Sequence, residues 1–172
     1  MRCLFAMLLF ALAACASAQN IDAMRLSAEG LGPVRIGMLV DDAQAVLGDA
    51  MRPSETEPDI PGCREWSLGP AIGMLSLDGR VSRISIHYNH GSTAVRTERG
   101  VGIGSTAADV RAAYPAAERA SAEYTPPPGH ELFAWSDREN GIGLRFEIGE
   151  SEQVTAIHAG SELMNIEGCA SA

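Results

Sequence analysis

Four groups of residues in this 172-residue chain are of types that do chemistry. His87-Tyr88-Asn89-His90 places two imidazoles three positions apart. In a strand, residues three apart point to opposite faces, so the pair chelates a metal only if the strand has ended by Asn89. No cysteine or carboxylate is spaced to complete such a site, and a solvated strand end is the expectation. His130 and His158 stand alone and read as structural or exposed. Gly100-Val101-Gly102-Ile103-Gly104 precedes a helical stretch, as a phosphate cradle would. No Gly-Lys-Ser/Thr follows and the dinucleotide spacing fails, so a turn into the helix is the better reading. Nucleophilic catalysis needs a serine or cysteine with a positioned base. There is no Gly-x-Ser-x-Gly elbow, and no acid–base pair or nucleophile stands out. The expectation is a non-enzymatic protein without cofactor or metal.

The fourth group is a set of side chains that alternation places on one face of strands. Arg83, Ser85 and His87 face away from Ile84, Ile86 and Tyr88, and Arg145 and Glu147 alternate with Leu144, Phe146 and Ile148. The simplest expectation is a solvated face, and the alternative is a polar protein-contact face. Trp66 and Trp135, each followed by serine, are expected to occupy matching positions in the two units. They are expected in the core, with exposure on a contact face as the alternative, because tryptophan is enriched at interface hot spots.

The elements that must position these groups come as a repeat. Val34 to Gly48 and Val101 to Pro115 both read as a short β segment, a glycine, an amphipathic helix and a stop. In the first, Val40, Ala43, Val46 and Leu47 form a one-sided stripe, and Gly48 is placed as a left-handed cap. In the second, Thr106 to Asp109 has the form of a capping box, Val110, Ala113 and Tyr114 form the stripe, and Pro115 ends the helix. Further anchors follow in order. Gly37 and Gly104 differ by 67 positions, as do Pro61-Gly62 and Pro128-Gly129. Trp66 and Trp135 differ by 69, Gly73 and Gly143 by 70, and Val81 and Val154 by 73. A slowly growing offset is what short loop insertions produce.

After its helix each unit reads as an antiparallel meander. The first has strands 64–68, 72–77 and 80–88, with Asp78-Gly79 as the hairpin turn. The second has strands 132–136, 143–148 and 153–159. Proline-rich loops precede both meanders. The expected class is α+β, with two tandem helix-plus-meander repeats and the helices on one face of the sheet. The expected organisation is a signal over 1–18 (or 1–14), a first repeat over 19–90, a linker over 91–99 and a second repeat over 100–172.

Composition bounds the rest. The apolar fraction of 46% suffices for a core. The formal charge is −9, with 13 basic residues that are all arginine and never clustered. That excludes nucleic acid, whose recognition needs a concentrated positive surface. It also excludes electrostatic binding to anionic membranes. Met1-Arg2 followed by the apolar run from Cys3 to Ala14 is an export signal too short to span a bilayer. Two cleavage readings compete: signal peptidase after Ala16-Ser17-Ala18, or lipidation at Cys15 in the lipobox-like Leu12-Ala13-Ala14-Cys15. Either leaves Cys63 and Cys169, which in an exported protein are expected to form a disulfide. The protein is thus expected in the periplasm or outside the cell, touching a membrane only through an N-terminal lipid.

Gly37-Met38 with Val46-Leu47-Gly48, and Gly104, Thr106, Val110 and Tyr114 in the second copy, resemble the helix signature of the SmpA/OmlA (BamE-like) outer-membrane lipoproteins. The tandem units also resemble the β-lactamase-inhibitor-protein-like fold. Two departures stand out: Leu39 takes the place of the family's usual threonine, and the assembly lipoproteins have a single unit. The resemblance implies a helical layer on one sheet face and an open sheet face for a cell-envelope protein partner, and it carries over no catalytic residue. An assembly or binding module is the leading expectation, a secreted hydrolase inhibitor the second.

Overall fold

The computed structural model describes residues 20–55, 59–88, 91–121, 127–161 and 168–169. The signal segment, with Cys15, lies outside the described residues, as does His90. Among the described residues the chain is a mixed α+β protein of two helices and twelve strands in two sheets.

A small sheet opens the chain. Strands β1 (Arg25–Ser27), β2 (Gly30–Leu31) and β3 (Val34–Arg35) form an antiparallel meander. Helix α1 spans Val40–Leu47, the span expected from its stripe. Its N-cap is Leu39, which cannot accept a hydrogen bond, so the first-turn amides have no side-chain cap. Gly48 has the positive φ expected of it (56°), but its ψ of −134° leaves the left-handed well, and the chain continues as a 3-10 turn, Gly48–Ala50.

Strands β4 (Arg52–Pro53), β5 (Cys63–Gly69), β6 (Ile72–Leu77) and β7 (Arg80–His87) follow. Asp78 (φ 48°) and Gly79 (φ 74°) make the β6–β7 turn, both in the left-handed region that a type I′ turn requires. Strand β8 (Arg96–Thr97) pairs parallel with β1, giving the small sheet the order β3-β2-β1-β8. Asp22 also accepts hydrogen bonds from Thr93 Oγ1 (2.7 Å) and the Ala94 amide (3.0 Å). Both the lead-in and the segment expected as a plain linker are therefore built into this sheet. Two-residue strands carry too little periodicity to announce themselves.

Helix α2 spans Ala107–Ala113, and its capping box is complete. Thr106 Oγ1 accepts from the Asp109 amide (3.1 Å), and the Asp109 carboxylate accepts from the Thr106 amide (2.8 Å). These bonds hold the Asp109 carboxyl below its ordinary pKa. Strands β9 (Glu118–Ser121), β10 (His130–Asp137), β11 (Ile142–Ile148) and β12 (Val154–Gly160) complete the chain.

The large sheet has the order β4-β5-β6-β7-β12-β11-β10-β9. Its centre is the antiparallel β7–β12 pair, with Ser85 opposite His158 and Ile86 opposite Ile157. One face carries Ile84, Ile86, Leu132, Leu144, Phe146, Ile148 and Ile157, and forms a single apolar cluster with Ala43 and Leu47 of α1 and Ala107 and Val110 of α2. Apolar area removed from water there, at about 25 cal/mol per Å², is the main force holding helices to strands. The other face carries Arg83, Ser85, His87, His158, Arg145, Glu147 and Glu131, and it holds the candidate site.

Candidate functional site

The expectation of a solvated polar face is corrected by burial. Arg83, Ser85, Arg145, Glu131 and His158 are all buried, with Arg145 at 2% and His158 at 1% exposure; His87 and Glu147 are half-buried. Alternation reports only the opposite side of a sheet, and that side is not always water.

Burying so many polar groups is costly unless they satisfy one another. Ser85, His158, Glu147, Arg145 and Glu131 do so across strands. The central ladder row runs from Ser67 through Gly73, Ser85, His158 and Arg145 to Phe133. Ser85 Oγ lies 2.8 Å from His158 Nδ1, and His158 Nε2 lies 2.9 Å from Glu147 Oε1. Arg145 pairs with Glu131, two side chains at 2% and 7% exposure, and its guanidinium lies 5.5 Å from the Phe133 ring centre. The His87 ring packs edge-on against His158, 5.2 Å between centres. Phe133 and Trp135 stack at 5.4 Å on the same face.

The electrostatics fix where the protons lie. Burial pushes the Glu147 carboxyl up, but the hydrogen bond from His158 and the nearby Arg145 charge outweigh it and hold the group below its ordinary value. Burial lowers the His158 imidazole, against the opposing pull of Glu147. Glu147 is thus an ionised acceptor and His158 a neutral ring. The carboxylate can only accept, so His158 Nε2 carries the hydrogen. Nδ1 is then left as the acceptor for the Ser85 hydroxyl.

A cleft of about 340 Å³ opens on this face beside Ser85. Glu65, Ser67, Arg83, Ser85, His87 and Gly168 contribute to its lining. The Cys63–Cys169 disulfide, Cα atoms 5.4 Å apart, brings the C-terminal segment to its edge. Cys169 donates its amide to Glu65 Oε1 (2.7 Å) and accepts from the amides of Asp59 and Ile60.

Other expected sites fall differently. Trp66 and Trp135 do not occupy matching positions. Trp66 pairs with Met74 and packs on the apolar cluster, its indole donating to Ser76 Oγ (3.0 Å). Trp135 pairs with Gly143 and lies on the polar face; the residue opposite the corresponding Gly73 is Ser67. A one-residue slip moves a side chain to the other face, and the shared Trp-Ser dipeptide concealed it. In the glycine-rich stretch, the amides of Gly100, Val101, Gly102 and Gly104 donate within the protein, so they are engaged in forming the turn. His130 is buried on the apolar side opposite Ile148, the structural of its two expected placements.

The residues that sequence reasoning missed are the triplet Ser85, Glu147 and His158 as a unit. Ser85 and His158 are 73 positions apart. Only the β7–β12 pairing brings them together, and no local pattern encodes it.

Neither a family model nor a curated protein matches this chain. Among solved structures, a cysteine-rich secretory protein from Staphylococcus aureus subsp. aureus Mu50 aligns with a TM-score of 0.43 and 10% identity, over 75% of this chain and 45% of that one. The chain thus spans less than half of that protein's length. No helix among the described residues is long and apolar enough to cross a membrane.

Proposed function

We propose that this chain is an exported cell-envelope protein that binds another protein through the polar face of its large sheet. The observation that carries the reading is the set of buried charges on that face, cross-linked through side chains and opening into a cleft. Breaking even with an apolar core is the usual best outcome for buried ion pairs, so stability alone is a poor reason to keep them. Fixed polar groups beside a stacked aromatic pair are what a recognition surface requires. Export is supported by the apolar N-terminal segment and by a disulfide, which persists in oxidising compartments. The tandem-unit reading is supported by the mirrored strand order about the β7–β12 pair and by the like φ of Gly37 (84°) and Gly104 (81°), each before a helix. We carry the likeness to the lipoprotein and inhibitor folds as part of this proposal.

Site-directed photo-crosslinking in the envelope tests it. A crosslinker at Ser67 or Trp135 should capture the same partner, and one at Arg111, exposed on α2, should not. Capture from Arg111 alone, or from none of the three, overturns the polar-face assignment. In the same cells, Cys15→Ala should move the protein from the membrane to the soluble fraction. Unchanged fractionation removes the lipid anchor from the proposal.

A further inference from the structure

The geometry points to a second capacity of the polar face: we propose that Ser85 is an activated nucleophile, with His158 as its base and Glu147 as the positioning carboxylate, acting on small neutral esters in the adjoining cleft. Three observations carry this. Ser85 Oγ, His158 and Glu147 form one unbroken hydrogen-bonded chain of 2.8 and 2.9 Å. The chain ends on Ser85, which lines a cleft of about 340 Å³, within the size range of small-molecule sites. Arg83 and His87, two residues to either side of Ser85 on the same strand face, line that cleft as well.

The order of ring nitrogens is the reverse of the familiar serine hydrolase arrangement, with the carboxylate on Nε2 and the serine on Nδ1. The chemistry does not depend on that order. It requires a lone pair facing the hydroxyl and a carboxylate holding the opposite N–H, and both conditions are met. Ser85 Oγ attacks the ester carbonyl carbon while its proton passes to His158 Nδ1. The carbonyl π pair moves onto oxygen, where the Arg83 charge beside the cleft stabilises it. As the carbonyl reforms, the ester C–O bond breaks and the leaving alkoxide takes the proton from Nδ1, giving acyl-Ser85 and an alcohol. Water then adds to the acyl carbon and gives a proton to Nδ1. Collapse expels Ser85 Oγ, which recovers that proton, and releases the carboxylic acid. Leu75 and the side-chain-free Gly73 in the lining leave room for a short acyl chain.

The test uses the purified mature protein and a fluorophosphonate probe, with peptide mapping of the adduct. It is independent of partner binding, so its failure leaves the protein-contact reading intact. One adduct is expected, on Ser85. It should vanish in Ser85→Ala, checked for folding by its thermal melt. His158→Gln should slow labelling by about 100-fold or more, the usual scale of a lost general base. Burial lowers the His158 pKa, so the wild-type rate should reach half its plateau below pH about 6.5, the ordinary histidine value. Glu147→Gln should slow labelling and shift that profile. No adduct while a control serine hydrolase is labelled, an adduct on another serine, or a rate indifferent to His158→Gln overturns the proposal.

Discussion

His158 governs how the polar face responds to acid. It is buried against Ser85, Glu147 and His87, with Arg83 and Arg145 nearby, and its folded pKa lies below the ordinary value. Below about pH 6.5 the unfolded chain binds a proton that the folded ring resists, so folding stability falls as pH falls through that window. Glu147 adds to the loss at lower pH, where its depressed carboxyl must protonate. The urea midpoint should therefore decline between pH 7 and 5, and His158→Gln should flatten that decline. A wild-type midpoint that is constant over this range counts against the assigned protonation states. At this scale the sequence supplied the residue types and their shared face. It did not supply burial, because alternation makes Arg83 and Arg145 look solvent-facing although both side chains are buried.

The helices show which local signals are self-sufficient. Thr106 and Asp109 satisfy each other's amides within one turn, so their spacing alone was enough to read the box. Thr106→Ala should cost about 0.5–2 kcal/mol, measured by denaturant titration; a variant as stable as the parent means α2 is held by packing alone. For α1 no such loss is available, since Leu39 contributes no cap. The hairpin of β6 and β7 was legible for a similar reason: Asp78-Gly79 fixes the turn, and the turn fixes the register. The bulges after Ser67 and Trp135 were not legible. Both follow the residue that faces a glycine, Ser67 opposite Gly73 and Trp135 opposite Gly143, so two tryptophans with the same following residue face opposite sides.

For the molecule as a whole, one covalent and one non-covalent junction matter most. The disulfide closes a loop of 106 positions between β5 and the C-terminal segment, worth about 4–5 kcal/mol in the chain-entropy view. Cys169→Ser should lower the denaturant midpoint by an amount equivalent to about 2–5 kcal/mol, and reductant should do the same to the parent but not to the variant. Equal midpoints for parent and variant would mean the bond does not form in solution. The junction of β7 with β12 joins the two halves into one sheet and makes the candidate site, since Ser85 comes from one half and His158 and Glu147 from the other.

Legible from the sequence alone are the α+β class, the span of α1, the capping of α2, the six long strands to within about two residues, and the pairing of Cys63 with Cys169. These follow from nearest-neighbour physics: turn conformations, caps, period-two alternation and the small number of possible partners. Long-range pairing alone makes the short segments around β1 and β8 into their own sheet, sends Trp66 and Trp135 to opposite faces, and brings Ser85, His158 and Glu147 together. Each of those depends on which strand lies beside which, a choice made by burial of the whole apolar face at once and written in no single stretch of the chain.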